Sequence, residues 1–238
     1  MPASPSAARP HGPATPARAA RRGAARAADG YHHGTLHEAL LAAAEALLLE
    51  RGVEAFTLRE CARRAGVSHA APAHHFGDAR GLLTAFATIG FDRMADLMQR
   101  YRAAALPDAE ARLSAVGLAY IDFALAHPAH FALMFGRDRL APDDADLQRA
   151  GQRTSAQLHD SLVELMAERG LPPDDLPQRM LLAWAAVHGY ATLLVEGQCL
   201  EAFGLGTETP AASSAMGAAV LRLLGPALAA PPAGLAGG

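Results

Sequence analysis

The chain is poor in several residue types that mark common protein classes. It contains no lysine, because all 21 basic residues are arginine, and it has only two cysteines, Cys61 and Cys199. Two cysteines in 238 residues exclude a disulfide framework, so we expect a reducing, cytoplasmic environment. Arginine suits bidentate phosphate contacts, although a coding bias explains the missing lysine at least as well.

Aromatic residues are also scarce, at 5% of the chain, and no hydrophobic run is long. The most apolar stretch, Leu181–Val195, has about 15 residues, fewer than the roughly 20 that a membrane-spanning helix needs. Residues 1–30 lack the continuous apolar segment of a signal peptide. We therefore expect a protein with no membrane partner.

Alanine and leucine are abundant, in a composition that is 51% apolar. Both are strong helix formers and β-branched residues are few, which predicts an all-α fold. The net charge of −3 is unevenly divided: residues 1–80 hold ten arginines against seven acids, and the remainder carries −6. A basic N-terminal part on an acidic body is typical of a DNA reader carried by a separate scaffold.

Capping signals predict where the helices begin and end. Thr-x-x-Glu capping boxes start at Thr35 and Thr57, and Gly52 and Gly66 stand where helices are expected to end. Ser68 is the expected N-cap of a third helix. The predicted helices cover residues 35–51, 58–65, 69–75, 80–106, 109–126, 128–135, 143–169, 176–197 and 210–224.

The second and third helices, joined at Gly66, form a predicted helix-turn-helix, because the third helix offers the small and polar side chains that a major-groove helix needs. His69 and His74 are candidates for contacts with guanine, and Ala70 and Ala73 for contacts with a thymine methyl group. The candidate DNA-binding residues are Thr57, Arg59, Ser68, His69, Ala70, Ala73, His74, His75 and Arg80. Arg18, Arg21, Arg22 and Arg26 either enter the minor groove or belong to a solvated tail.

The order and spacing of these residues resemble the N-terminal domain of the TetR family of regulators. The matching segments are Tyr31-His32-His33-Gly34, Phe56-Thr57-Leu58-Arg59, Ala62-Arg63-Arg64-Ala65-Gly66-Val67-Ser68, His75-Phe76 and Leu82-Leu83. Further on, residues 127–135 and Trp184-x-x-x-His188-Gly189 resemble the C-terminal domain of a TetR branch with a Trp-His-Gly signature.

The resemblance implies a homodimer that reads a near-palindromic operator in double-stranded DNA. The last two long helices would form the dimer interface, and a small-molecule effector in the body would release the DNA, as in the repressors that make up most of the family. The expected segments are a disordered Arg-rich arm (1–30), a helix-turn-helix domain (31–82), a helical effector-binding and dimerisation domain (83–225) and a flexible tail (226–238).

Two positions depart from the family pattern. An aromatic residue often precedes the family's conserved Phe where this chain has Ala73, and a lysine often follows that Phe where it has Ala79. Both usually contact phosphates, and Arg80 is the expected substitute for the second. Thr57 and His75 resemble family residues that contact phosphates; Thr57 is also expected to cap its helix, and His75 otherwise serves packing.

Eight side chains of the body are candidates for an effector pocket: Tyr120, Phe123, Phe131, Met134, Phe135, Trp184, His188 and Tyr190. Apolar residues at this helical spacing are more often plain core. A mostly apolar pocket with one histidine would suit a hydrophobic or weakly polar small molecule.

Other functions have less support in the sequence. No phosphate loop, nucleophile elbow or paired carboxylates are found, so neither an enzyme nor a cofactor is predicted. Two histidine groups, His32-His33-His37 and His69-His74-His75, lack zinc spacing, and no metal site is predicted. The alternative is a helical interaction module that has lost specific DNA binding, which Ala73 and Ala79 keep open.

Overall fold

The computed structural model describes residues 35–197 and 209–231, and its regular elements there are all helical, which confirms the all-α prediction. The α-helices are α1 (residues 35–51), α2 (Leu58–Arg64), α3 (Ala71–Phe76), α4 (Ala79–Ala104), α5 (Ala109–Ala126), α6 (Pro128–Met134), α7 (Ala145–Arg169), α8 (Leu176–Glu196) and α9 (Pro210–Ala229). Short 3-10 turns cover Arg137–Arg139 and Pro173–Asp175.

Side-chain caps explain where many of these helices begin. The five capping residues are Thr57, Asp78, Asp108, Asp144 and Thr209, each accepting a hydrogen bond from the backbone amide three residues further on. Such a cap stabilises a helix by about 1 kcal/mol, because it satisfies an amide that has no partner within the helix.

The first three helices form a small head with its own core. Leu40 and Leu47 of α1 pack with Cys61 of α2 and with Leu82, which lies in the first turn of α4. One turn later, Phe86 of α4 is buried in the core of the body. Helix α4 therefore runs without a break through the predicted domain boundary between residues 82 and 83, and it contributes to the cores of both head and body.

Helices α4, α5, α7, α8 and α9 form the body. Helix α5 is central, since α4, α7, α8 and α9 all pack against it. Glycines allow α5 and α9 to approach closely: a Cβ atom on Gly117 would lie 2.7 Å from Leu221, and one on Gly217 would lie 2.7 Å from Ile121. The cavity described below lies among these helices.

Four predicted helix boundaries are wrong by two residues or more: the starts of α3 and α7 and the ends of α4 and α9. Helix α3 begins at Ala71, with Ala70 as its N-cap, because Ser68 accepts a backbone bond from Ala71 in a preceding turn (3.0 Å) instead of capping the helix. Helix α9 extends to Ala229, so residues 226–229 are helix and not flexible tail. The guanidinium of Arg179 holds this end, donating to the carbonyls of Leu228 and Ala230. Residues 232–238 of the predicted tail lie outside the described residues.

Among the described helices, α9 is long and apolar enough to cross a membrane by length and composition alone, with a mean hydropathy of 1.3. The best candidate for a membrane-spanning segment is therefore α9 and not the run Leu181–Val195. The buried residues of α9 follow one face of the helix: Ser213, Gly217, Leu221, Gly225 and Leu228. That one-sided burial is the pattern of a helix in a packed bundle.

Candidate DNA-reading surface and ligand cavity

The turn between α2 and α3 has the geometry of a helix-turn-helix. Helix α2 ends at Ala65, whose amide bonds back to Cys61, and the amide of Val67 bonds to the carbonyl of Ala62 at 3.0 Å. Gly66 between them has φ +70°, a conformation that is strained for any residue with a side chain. The backbone therefore turns sharply enough to place α3 across α2.

The capping box of α2 is only half formed. Thr57 accepts from the Glu60 amide at 3.3 Å, as predicted, but the Glu60 carboxylate binds the guanidinium of Arg63 at 2.8 and 2.6 Å instead of reaching back to Thr57. Arg63 and the nearby arginines hold the pKa of Glu60 at about 2. The Glu60 carboxylate is thus ionised and paired with arginines of the head.

Most arginines of the head are paired with acids of the head. Arg51 pairs with Glu50 at 3.3 Å, and Arg64 pairs with the same carboxylate. Arg59 projects from the exposed side of α2 and makes no ion pair with any described residue. Among the arginines of α2, Arg59 is therefore the one whose charge is available to a phosphate.

Helix α3 and the turn before it, residues 68–70, expose most of the predicted reading side chains. Ser68, His69, Ala70, Ala73 and His74 are exposed, His75 is half-buried, and Pro72 is buried beneath them. The rings of His74 and His75 stand edge to face, with centroids 5.7 Å apart. Arg80 is exposed but donates to the carbonyl of Asp138 at 3.1 Å, so its guanidinium faces the body.

A cavity of about 850 Å³ lies in the body, surrounded by α4 to α9. Five of the eight predicted pocket residues line it: Tyr120, Met134, Phe135, Trp184 and His188. The other three lie behind the wall. Phe131 packs edge-on against Tyr120, Phe123 packs on His127, and the Tyr190 hydroxyl donates to the Ser213 carbonyl at 2.8 Å, which ties α8 to α9.

Tyr120 and His188 form the central polar feature of this cavity. The tyrosine oxygen lies 2.7 Å from Nδ1 of His188. Burial raises the pKa of Tyr120, partly offset by the nearby Trp184, and burial also lowers the pKa of His188. Both groups are therefore held in their neutral forms, and they share one hydrogen bond.

Comparison with known proteins agrees with this geometry. Residues 40–86 match the description "Bacterial regulatory proteins, tetR family", and residues 113–221 match "Tetracyclin repressor-like, C-terminal domain". A solved structure of a protein with unknown function from Rhodococcus sp. RHA1 is 36% identical, with a TM-score of 0.63 over 81% of this chain and 96% of that chain. This chain belongs to the TetR family. It is a transcriptional regulator with a helix-turn-helix DNA-binding domain.

More distant solved structures share the fold. The regulator PfmR from Thermus thermophilus is 18% identical, with a TM-score of 0.60, covering 79% of this chain and 93% of that one. The fatty acid degradation regulator FadR from Bacillus halodurans is 15% identical, with a TM-score of 0.63 and the same coverage. No curated protein matches the chain.

Several cavity residues of this TetR regulator are not among the predicted set. Helix α7 contributes Leu147, Gly151, Thr154, Ser155 and Leu158. Their spacing is helical, but glycine, serine and threonine do not identify a ligand-facing side without a structure. On α5, Ser114 also lines the cavity.

The prediction also misses a buried histidine of the regulator, His130 on α6. Its ring stacks on Phe86 with centroids 3.7 Å apart, Nδ1 lies 3.0 Å from the Phe86 carbonyl, and Nε2 lies 3.2 Å from a nitrogen of Arg93. Burial, helped by the charge of Arg93, lowers the pKa of His130 to about 4. The ring is therefore neutral, with its proton on Nδ1 and Nε2 accepting from Arg93.

Within the described ranges, no group of three or more metal-binding side chains comes together. His32 and His33 lie outside those ranges, as do the arm residues Arg18, Arg21, Arg22 and Arg26. Cys61 is buried and free, its thiol donates to the Leu40 carbonyl at 3.4 Å, and burial raises its pKa to about 11. A thiol of that pKa is poorly reactive and serves packing.

Proposed function

We propose that this TetR regulator is a cytoplasmic homodimeric repressor, without catalytic activity, that a small molecule releases from a near-palindromic operator. The observation that carries the proposal is the combination of an exposed reading helix, two apolar helix faces and a large apolar cavity in one protomer. The domain plan is a helix-turn-helix head on α1 to α3 and an effector-binding, dimerising body on α4 to α9. The Trp184–His188 pair, one turn apart and both on the cavity, supports membership of the Trp-His-Gly branch.

The DNA contacts are assigned by exposure. His69 and His74 are proposed to reach base edges, with Ala70 and Ala73 against thymine methyl groups. Thr57, Arg59, Ser68 and His75 are proposed to contact the phosphate backbone. For Arg80 the same role requires its bond with Asp138 to break, so we rank it below Arg59.

The dimer surface is proposed to be formed by α8 and α9. Away from its buried face, α8 exposes the apolar residues Leu181, Leu182, Ala185 and Leu193. Away from its own buried face, α9 exposes Ala212, Ala215, Met216 and Leu223. Exposed apolar stripes of this kind are typical of helices that pack against a partner. Two copies would bring four helices together as a bundle.

Effector release requires a link between cavity and head, and one short segment touches both. Met134, Phe135 and Leu140 line the cavity, and the turn Arg137–Arg139 lies between them. That turn contacts the head through the ion pair of Arg139 with Glu54, and it contacts the first turn of α4, next to the head, through the carbonyl of Asp138, which accepts from Arg80. A ligand that displaces this wall would therefore move contacts of the reading head.

Replacing His74 with alanine is expected to lower the ratio of specific to non-specific DNA affinity about tenfold, since a base-edge hydrogen bond contributes about 1 to 3 kcal/mol. The measurement is titration of operator and scrambled duplexes by fluorescence anisotropy. Arg59→Ala is the matched control. It should lower the affinity for both duplexes equally and reduce the slope of log K against log salt by about 1. Equal losses on both duplexes for His74→Ala would contradict base reading by this side chain.

The second candidate function, a helical interaction module without specific DNA binding, rests on Ala73 and Ala79. Salt distinguishes the two. A DNA reader loses affinity steeply as salt rises, because binding releases counterions, whereas an apolar interaction does not.

A further inference from the structure

The chemistry of the cavity wall restricts the kind of molecule that it can hold. Resting on the proposed role of this cavity as the effector site, we propose that the effector is an uncharged, elongated, mainly apolar molecule with one hydroxyl or carbonyl group that binds the Tyr120–His188 pair, and that carboxylate and phosphate ligands are rejected.

The first argument is charge. Among the described residues that line the cavity, none is an arginine, and the chain has no lysine. The lining carboxylate, Glu110, already pairs with Arg169 at 2.8 Å. An anionic ligand would lose its hydration without meeting a counter-charge, and burial of an uncompensated charge is strongly unfavourable.

The second argument is hydrogen bonding. The hydroxyl of Thr154 bonds to the carbonyls of Phe91 and Ala150, at 2.9 and 3.1 Å, and the hydroxyl of Ser155 bonds to the carbonyl of Gln152 at 3.0 Å. Their donor protons are used within the protein. The lining hydroxyl of Ser114 and the Tyr120–His188 pair keep capacity. Nε2 of His188 makes no hydrogen bond with any described residue, and the pair offers two polar atoms side by side.

The pair can adapt to the ligand's functional group. If Tyr120 donates to Nδ1 of His188, then Nε2 carries the proton and can donate to a carbonyl. If Nδ1 donates to the tyrosine oxygen, the tyrosine hydroxyl is free to donate and Nε2 can accept from a hydroxyl. Both arrangements are neutral, so the pair binds a polar group without requiring a charge.

The third argument is shape. The lining residues of α5 run from Glu110 to Tyr120, which at the helical rise of 1.5 Å per residue is about 15 Å. The rest of the wall is mainly aliphatic and aromatic. Its exposed lining residues are Leu181 and Trp184 on α8, Ser155 on α7 and Pro142 just before α7. They place the opening between α7 and α8, next to the proposed dimer surface, to which Leu181 also belongs.

A substitution at Gly151 can block the cavity with little effect on the fold. Gly151 on α7 lines the cavity, and a Cβ atom added there would meet no atom within 4 Å. Gly151→Leu would therefore project into the cavity without a backbone clash, and loss of a helical glycine itself favours the helix. Gln152, the next residue, is exposed and does not line the cavity, so Gln152→Leu is the matched control.

The test uses three probes of equal chain length: decanol, decanoate and decylamine. Trp184 is the only tryptophan, so its fluorescence reports binding directly in the full-length protein, independently of DNA. We expect decanol to bind at least tenfold more tightly than decanoate or decylamine. Gly151→Leu should lower the affinity for decanol at least tenfold, and Gln152→Leu should leave it unchanged. Tyr120→Phe should lower that affinity about fivefold.

Each outcome decides the proposal. Equal or tighter binding of decanoate or decylamine, or no response to decanol, would overturn the assignment of an uncharged ligand. Decanol binding that Gly151→Leu leaves unchanged would place the ligand outside this cavity, which also overturns it. Release of operator DNA is measured separately: if decanol binds and the DNA stays bound, the ligand class stands and the proposed effector release fails.

Discussion

Leu223→Arg is expected to convert the protein to monomers and to weaken operator binding at least a hundredfold. Leu223 is the most exposed large residue of the apolar stripe of α9, at 82% in the protomer, so the substitution disturbs no intramolecular packing. In a dimer related by a twofold axis, the substitution would place two like charges at the interface and would remove the apolar area of both leucines from it. Binding at two linked half-sites gains a factor of about 10² to 10⁴ from effective concentration, and a monomer loses that gain.

The matched control is Leu106→Arg. Leu106 is 71% exposed and follows α4, so it lies on neither α8 nor α9. Sedimentation velocity is expected to show a dimer for the parent and for Leu106→Arg, and a monomer for Leu223→Arg with an unchanged helical circular dichroism spectrum. A Leu223→Arg protein that remains dimeric would contradict the assignment of α9 to the interface.

The second large effect is on stability in acid. The free energy of unfolding is expected to fall by about 2 to 3 kcal/mol between pH 7.5 and pH 4.5 through His130 alone. Its folded pKa of about 4 lies below its ordinary value of 6.5, so in that window the unfolded chain binds a proton that the folded chain excludes. The stability contributed by the neutral ring is complete above pH 6.5 and is lost as the pH falls toward 4.

The surroundings of His130 explain why a proton is excluded. Arg93 of α4 faces Nε2 at 3.2 Å, and His127 lies with its ring centroid 6.1 Å away. Glu38 and Glu45 of α1 line the same small cavity as Arg93 and His130. Burial and Arg93 lower the pKa of His127, and the charge of Glu45 acts to raise it. A proton on His130 would therefore place a second positive charge in this buried site, beside that of Arg93.

Urea unfolding at the two pH values measures this effect. His130→Gln should be less stable than the parent at pH 7.5 but should lose clearly less stability on acidification, whereas His159→Gln, which removes an exposed histidine of α7, should follow the parent. If His130→Gln does not fold, NMR titration of the parent gives the pKa of His130 directly. A pKa near 6.5, or identical acid losses in parent and variant, would contradict the account.

Much of the fold can be predicted from the sequence because its signals are local. The sequence predicts helix α5 to the residue, since Asp108 caps its start and Pro128 begins the next helix directly after it. The helix-turn-helix is also predictable, because Thr57 and Gly66 act on the backbone within a few residues. The predicted start of α3 is two residues early, since a turn and the first turn of a helix suit the same residue types.

Features that depend on distant contacts are missed. Helix α9 extends past Pro226 because Arg179, almost fifty residues earlier, binds its last carbonyls. Phe123, Phe131 and Tyr190 share the spacing and chemistry of the true cavity residues, and only packing places them behind the wall. His130 escapes prediction because nothing in its sequence neighbourhood indicates that Phe86 and Arg93 enclose it.

The measurement that tests the central claim most directly is binding of the purified protein to the intergenic DNA upstream of its own gene, across a salt series with a scrambled competitor. The account predicts preferential binding of two chains to one near-palindromic site, with log K falling linearly as log salt rises. Absence of binding to any duplex at low salt would contradict the claim that this TetR protein reads DNA through α3.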